Sequence, residues 1–165
     1  MNKNPRADYQ DTPVDVKVVL GGLWTAMLFV FAYVDIFGFW RADVINGALL
    51  KEVPGSGFEI NQSFLVLTTI YILIPSLMVI VSLLAPAKIN RTTTIVASLI
   101  YAVSVALSLI GETWAYYVLG SVVEVILLLA IARTAWTWPT RSATAAGAIS
   151  TQVTAVVDNR SHSRP

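Results

Sequence analysis

Two acids, Asp35 and Glu124, each lie inside a long apolar stretch of this chain. A carboxyl held in lipid can bind a proton or a cation, or can pair with a base from a neighbouring subunit, and acids in such places are functional candidates by default. No lysine, arginine or histidine falls at a matching depth, and the single histidine, His162, lies near the C-terminus. The two carboxyls therefore cannot both be ionised without a partner. At least one is expected to keep its proton at neutral pH, hydrogen-bonded to polar groups on the facing stretches: Thr68, Tyr71, Tyr101, Tyr117 and Ser121. Three uses compete: neutral acids that tie helices together, a proton or cation site, and an acid paired with a basic residue of another subunit.

The remaining side chains exclude most other chemistry. There is no cysteine, so a disulfide framework, a thiolate zinc site, an iron–sulfur cluster and a redox dithiol are all out of reach. The apolar stretches contain no histidine, which argues against intramembrane haem ligation, a zinc protease or a serine–histidine hydrolase. Asp35 and Glu124 carry no flanking glycine motif for aspartyl chemistry. The expectation is a protein that is not an enzyme and holds no cofactor and no metal. Eleven basic residues against ten acidic ones give a net charge of +1, which is not the basic excess of a nucleic-acid binder.

The elements that must position the two acids follow from composition. The chain is 56% apolar and 13% charged, where a soluble domain runs near 45–50% and about 25%. Four stretches, about 18–40, 63–85, 92–111 and 114–137, reach the roughly 20 apolar residues a spanning helix needs. A soluble bundle of these helices would lack a polar shell, and the stretches lack the alternation of a membrane β-barrel. Trp40 and Trp114, with Tyr116 and Tyr117, mark one interface, while Trp136 and Trp138 mark the other. Pro86 and Pro139 are natural stops. The organisation expected is a transmembrane domain over 16–139, between a polar cytoplasmic tail over 1–15 and a Ser/Thr/Ala-rich disordered tail over 140–165.

An even number of spans places both tails on one side. That side holds Lys3, Arg6, Lys17, Lys88, Arg91, Arg133, Arg141, Arg160 and Arg164, and the other only Arg41 and Lys51. The positive-inside rule then predicts cytoplasmic termini. The first span is too long for a signal-peptide h-region and is expected to act as a signal anchor.

Lipid-embedded helices associate through small residues and cross-helix hydrogen bonds, so each span should turn its smaller, more polar face inward. Those faces are Gly21-Thr25-Leu28-Ala32-Asp35, Thr68-Tyr71-Pro75-Met78-Ser82, Thr94-Ser98-Tyr101-Ser104-Ser108 and Tyr117-Ser121-Glu124-Leu128. Turned inward, they predict an all-α fold, an antiparallel four-helix transmembrane bundle. Pro75 is expected to kink its helix and open room on this face. At 1.5 Å per residue, Asp35 lies roughly 7–8 Å below Trp40 and Glu124 roughly 15 Å below Trp114. If the first and fourth spans are neighbours, the two carboxyls converge in the outer half. Within the outer loop Arg41–Gln62, Ala42–Glu52 reads as a short amphipathic helix on the membrane surface. Val53–Gly57 reads as a turn. The loop is either a plain connector or a lid.

Tyr33-Val34-Asp35-Ile36-Phe37-Gly38, Gly57-Phe58-Glu59-Ile60-Asn61-Gln62, Ile74-Pro75, the short Pro86–Arg91 turn and Val123-Glu124-Val125 together resemble an uncharacterised family of small four-helix bacterial integral membrane proteins, a domain of unknown function. The likeness covers Leu20 to Trp138. It implies a bacterial plasma-membrane protein and assigns no particular activity, with Asp35 and Glu124 on family motifs. The family pattern often has a glutamate just before the Ile-Pro of the second span, where this chain has Leu73. The functional expectation is a non-catalytic membrane component or accessory subunit. Its partners would be the lipid bilayer and either further copies of the chain or a larger membrane complex, and not nucleic acid. The alternative is a small proton-coupled or cation transporter using Asp35 and Glu124, by architectural analogy with small multidrug exporters.

Overall fold

The computed structural model describes residues 14–139; the expectations for residues 1–13 and 140–165 lie outside the described residues. The elements are α1 (Val16–Gly38), α2 (Ala42–Leu50), α3 (Gln62–Leu84), α4 (Ala87–Ser108) and α5 (Ala115–Trp136). The four long helices are long and apolar enough to cross a membrane.

Local signals set the helix ends. The Asp15 carboxylate accepts the Lys17 N–H at 2.7 Å and starts α1. The Asn61 side chain accepts the Phe64 N–H at 3.0 Å and starts α3. Both are N-caps that occupy amides the first turn leaves free. One boundary is corrected. The third span begins at Ala87 rather than near 92 and ends at Ser108, so the Pro86–Arg91 segment is not a turn. Lys88 and Arg91 lower the hydropathy of that turn without breaking its hydrogen-bond ladder. Pro86, with φ −58° and no N–H to lose, suits the position just ahead of a helix. Gly111, at φ +84°, turns the chain after α4.

The long helices pack as α4 on α5, α5 on α1 and α1 on α3, with α3 meeting α4 over a shorter stretch. Side-chain pairings across two of these seams carry rising numbers on one helix against falling numbers on the other. Tyr71 meets Ser104 while Asn90 meets Ser82. Gly38 lies beside Tyr116 while Gly120 lies beside Val34. The buried centre is built from Leu20, Trp24, Met27, Tyr101, Leu128 and Ile131. Outward faces carry exposed Ile70, Leu73, Val103, Leu119 and Ile126. In lipid such faces need no polar cover.

Between α2 and α3 the chain closes on itself. The Val53 N–H donates to the Phe58 carbonyl and the Ile60 N–H to the Lys51 carbonyl, with Gly55 and Gly57 at positive φ between them. α2 shares no extended seam with the long helices. It is held beside the bundle by the arginine that precedes it.

Candidate functional site

Three of the four long helices turn the expected face inward. Pro75, Met78 and Ser82 of α3 are buried, as are Thr94, Ser98 and Tyr101 of α4 and Ser121, Glu124 and Leu128 of α5. The fourth, α1, is rotated. Its buried residues are Leu20, Gly21, Trp24, Met27, Val34 and Gly38; of the expected face only Gly21 is buried, while Ala32 and Asp35 are exposed. Two causes combine. Thr25 is satisfied within its own helix, its hydroxyl donating to the Gly21 carbonyl at 2.8 Å, so nothing pulls it inward. The α1–α5 seam is set by Val34 lying in the space that Gly120 leaves open.

The two acids consequently occupy unequal surroundings. Glu124 is 2% exposed, and its Oε1 has no hydrogen-bond partner among the described residues. Asp35 is exposed on the C-terminal half of α1, one position beyond the seam residue Val34. Glu124 is one turn inward of Gly120, so the acids are offset by roughly 7 Å along the bundle axis at 1.5 Å per residue. Side chains lean toward their helix N-terminus, so the two carboxyls approach each other across this offset, with Glu124 enclosed and Asp35 at the surface.

Four of the five hydroxyls proposed to serve the acids are engaged elsewhere; Ser121 is buried on the same face of α5 as Glu124. Thr68 is exposed and donates to the Phe64 carbonyl at 2.9 Å. Tyr117 donates to Ser108 Oγ at 3.3 Å. Tyr71 donates to Ser104 Oγ, Ser104 donates to the Tyr101 carbonyl, and Tyr101 donates to the Tyr71 carbonyl. The loop is closed, and its last bond has a specific cause. Pro75 has no N–H, which leaves the carbonyl four residues earlier, that of Tyr71, without its helical donor. The Tyr101 hydroxyl supplies that donor from α4. Proline in a membrane helix is tolerated where a neighbouring side chain re-satisfies the freed group. The room Pro75 opens amounts to a cavity of about 10 Å³ beside Phe31, Tyr71 and Tyr101, on the order of one water.

A second polar tie sits at the opposite end. Asn90, fully buried, donates to the Ser82 carbonyl at 2.6 Å and accepts the Thr94 hydroxyl at 3.0 Å. It satisfies a carbonyl in the last turn of α3, where the helix has no donor of its own. Asn90 was missed because it precedes the span drawn from 92; its spacing of four from Thr94 was the available signal.

At the end of the bundle opposite Asn90, Arg41 gathers the two loops. Its Nε and Nη2 donate to the Asp43 carboxylate at 3.1 and 2.6 Å, and its Nη1 donates to Glu112 Oε2 at 3.0 Å. The guanidinium lies 4.8 Å from the centre of the Trp114 ring. Glu112 Oε1 accepts the Thr113 and Trp114 N–H groups at 2.9 and 3.0 Å, at the start of α5. The Arg41 guanidinium holds the Asp43 carboxyl below its ordinary range. Burial would raise the Glu112 carboxyl, but hydrogen bonds from Trp114, Arg41 and Thr113 outweigh it and hold it low. Both groups bind protons less readily folded than unfolded. Their contribution is therefore complete above the ordinary carboxylate range, near pH 4–4.5, and is lost as pH falls through the lowered values. Arg41→Gln is expected to lower the melting temperature at pH 7 and to flatten this acid limb, as read by thermal melts in detergent between pH 3 and 7. Sequence reading counted Arg41 only as an outer charge, because its partner is 71 positions away.

Among the described residues no three His, Cys, Asp or Glu side chains gather where they could hold a metal ion. A family model described as "Family of unknown function (DUF6326)" matches residues 11–145. No curated protein and no solved structure matches the chain.

Proposed function

The chain belongs to the DUF6326 family of unknown function, and from that premise we propose that it is a non-catalytic, multi-pass component of a bacterial plasma-membrane assembly, with both termini in the cytoplasm. The observation that carries this reading is Asp35. It is exposed on a helix apolar enough to span a membrane, and no basic side chain among the described residues forms an ion pair with it. A carboxyl on such a surface requires a counter-group, and a helix of a neighbouring subunit is the natural source. The interior supports the same reading, since its polar groups are mostly spent on one another rather than left open to a substrate. The charges agree with the orientation. Described residues at the end with Asp15 and Trp136 carry four basic side chains, Lys17, Lys88, Arg91 and Arg133, against the single acid Asp15.

The test is the size of the particle extracted in gentle detergent or native nanodiscs. Wild type should run larger than the lone chain, and Asp35→Asn and Asp35→Leu should release the monomer without lowering its melting temperature. A wild-type chain that runs alone would sink the proposal.

A second reading rests on Glu124, whose Oε1 is buried without a partner. As a proton or cation site it would make the protein a small transporter. In liposomes under a pH gradient, Glu124→Gln should then abolish flux of an organic cation that wild type carries. If Glu124 only packs, Glu124→Gln leaves the chain without flux, as wild type would be, and Glu124→Met raises stability by about 1 kcal/mol, because an unsatisfied buried polar group has been removed.

A further inference from the structure

Ala87, Lys88, Arg91, Thr92, Ile95 and Val96 lie at intervals of three and four along one face of α4. Together with Trp138 and Pro139 they line an open groove of about 800 Å³ at the basic end of the bundle. Its mouth and floor differ in kind. Lys88 and Arg91 stand at the mouth, in the first turns of α4, where free amide N–H groups and the helix dipole add positive potential. Ile95 and Val96 lie about two turns deeper, roughly 10 Å along the helix, and Trp138 forms the facing wall. No acidic side chain lines the groove. Arg91 is held in place from α5: its Nη2 donates to the Trp136 carbonyl at 3.4 Å, and its guanidinium lies 6.0 Å from the Trp136 ring centre. A guanidinium has five N–H donors, so this single bond leaves others for an anion.

We propose that this groove binds one anionic phospholipid, its phosphate between Lys88 and Arg91 and the first part of an acyl chain along Ile95, Val96 and Trp138. The assignment rests on the membrane-spanning reading of the four helices and is independent of the partner assigned to Asp35. A cationic mouth above an apolar floor at a membrane interface complements an anionic headgroup with its attached chain. A soluble phosphate would use the mouth alone and leave the floor unoccupied.

Native mass spectrometry of the delipidated full-length chain tests this, with phosphatidylglycerol and phosphatidylcholine as probes. Wild type should retain one phosphatidylglycerol with at least tenfold preference over phosphatidylcholine. Lys88→Gln/Arg91→Gln should reduce that preference at least fivefold. Arg133→Gln, which removes a charge at the same end but outside the groove, should leave it unchanged and shows whether net charge alone is responsible. Inorganic phosphate at 10 mM should not displace the lipid. Equal retention of both lipids by wild type overturns the proposal, whether the segment beyond Pro139 or a second copy of the chain fills the groove. So does an Arg133→Gln effect as large as that of the double variant, or displacement by phosphate, which would mark a plain anion site. Should the double variant fail to fold, Val96→Trp, which fills the floor and leaves both charges, is expected to cut retention at least fivefold; unchanged retention in that variant overturns the proposal as well. Particle size is read separately, so loss of the lipid site and loss of the Asp35-dependent partner remain distinguishable.

Discussion

Gly120→Leu is expected to prevent the bundle from closing, and Gly120→Ala to cost about 1–3 kcal/mol, the usual penalty for overfilling a packed contact. A Cβ on Gly120 would overlap Val34 Cγ2. Valine has one strongly preferred rotamer in a helix, so this methyl cannot swing aside, and α1 and α5 must separate. Val34 is itself 8% exposed, seated in the seam against Gly120. The seam can be restored from the other side. With Val34→Ala the nearest atom to the new Cβ becomes the Cβ of residue 34, at 3.6 Å, an ordinary contact. Gly120→Ala should therefore be nearly neutral in a Val34→Ala background. Chemical denaturation in detergent of the two single variants and the double variant measures this coupling. Equal cost of Gly120→Ala in both backgrounds would show that the seam lies elsewhere.

The second large effect concerns the carbonyl freed by Pro75. Tyr101→Phe keeps the ring and removes the donor, leaving the Tyr71 carbonyl with neither its helical N–H nor its replacement. The expected loss is about 1–2 kcal/mol, within the range for an unsatisfied buried acceptor and near the upper end for hydrogen bonds between membrane helices. Pro75→Ala restores an N–H at position 75 and with it the bond along α3. In that background Tyr101→Phe should cost about 0.5 kcal/mol or less. A coupling near 1 kcal/mol between positions 75 and 101, 26 residues apart, is what distinguishes a replaced backbone bond from simple loss of a hydroxyl. If the tyrosine substitution costs the same with and without the proline, the hydroxyl is serving something other than that carbonyl. The same variant loosens α3 from α4, the seam with the shortest packed stretch.

Much of the candidate site was legible because it follows from one-dimensional patterns. Ser121, Glu124 and Leu128 share a helix face by spacing alone, and the structure buries all three. The same holds for Thr94, Ser98 and Tyr101. The hydrogen-bond partners were not legible. A serine or threonine in a helix can donate to the carbonyl three or four residues earlier, as Thr68, Thr69, Ser76 and Thr93 do. Such a hydroxyl places no demand on the neighbouring helix, so a polar stripe does not by itself say which way a helix faces. Thr25 is the case where this mattered, because the stripe containing it would have carried Asp35 inward.

By itself, the sequence determined the membrane class, four long helices with ends within a few residues of those observed apart from the start of α4, and the inward faces of α3, α4 and α5. Each depends on hydropathy, length or periodicity, all of which are local. The tertiary structure alone decided the rotation of α1, and through it the exposure of Asp35 beside an enclosed Glu124. It also decided the pairing of Tyr101 with the carbonyl that Pro75 frees, and the joining of the α1–α3 and α4–α5 loops by Arg41 and Glu112. The physical reason is common to all three. A helix apolar on every side gains nothing in lipid by turning one way rather than another. Its orientation is left to close contacts, such as Val34 against Gly120, that exist only once the helices are side by side.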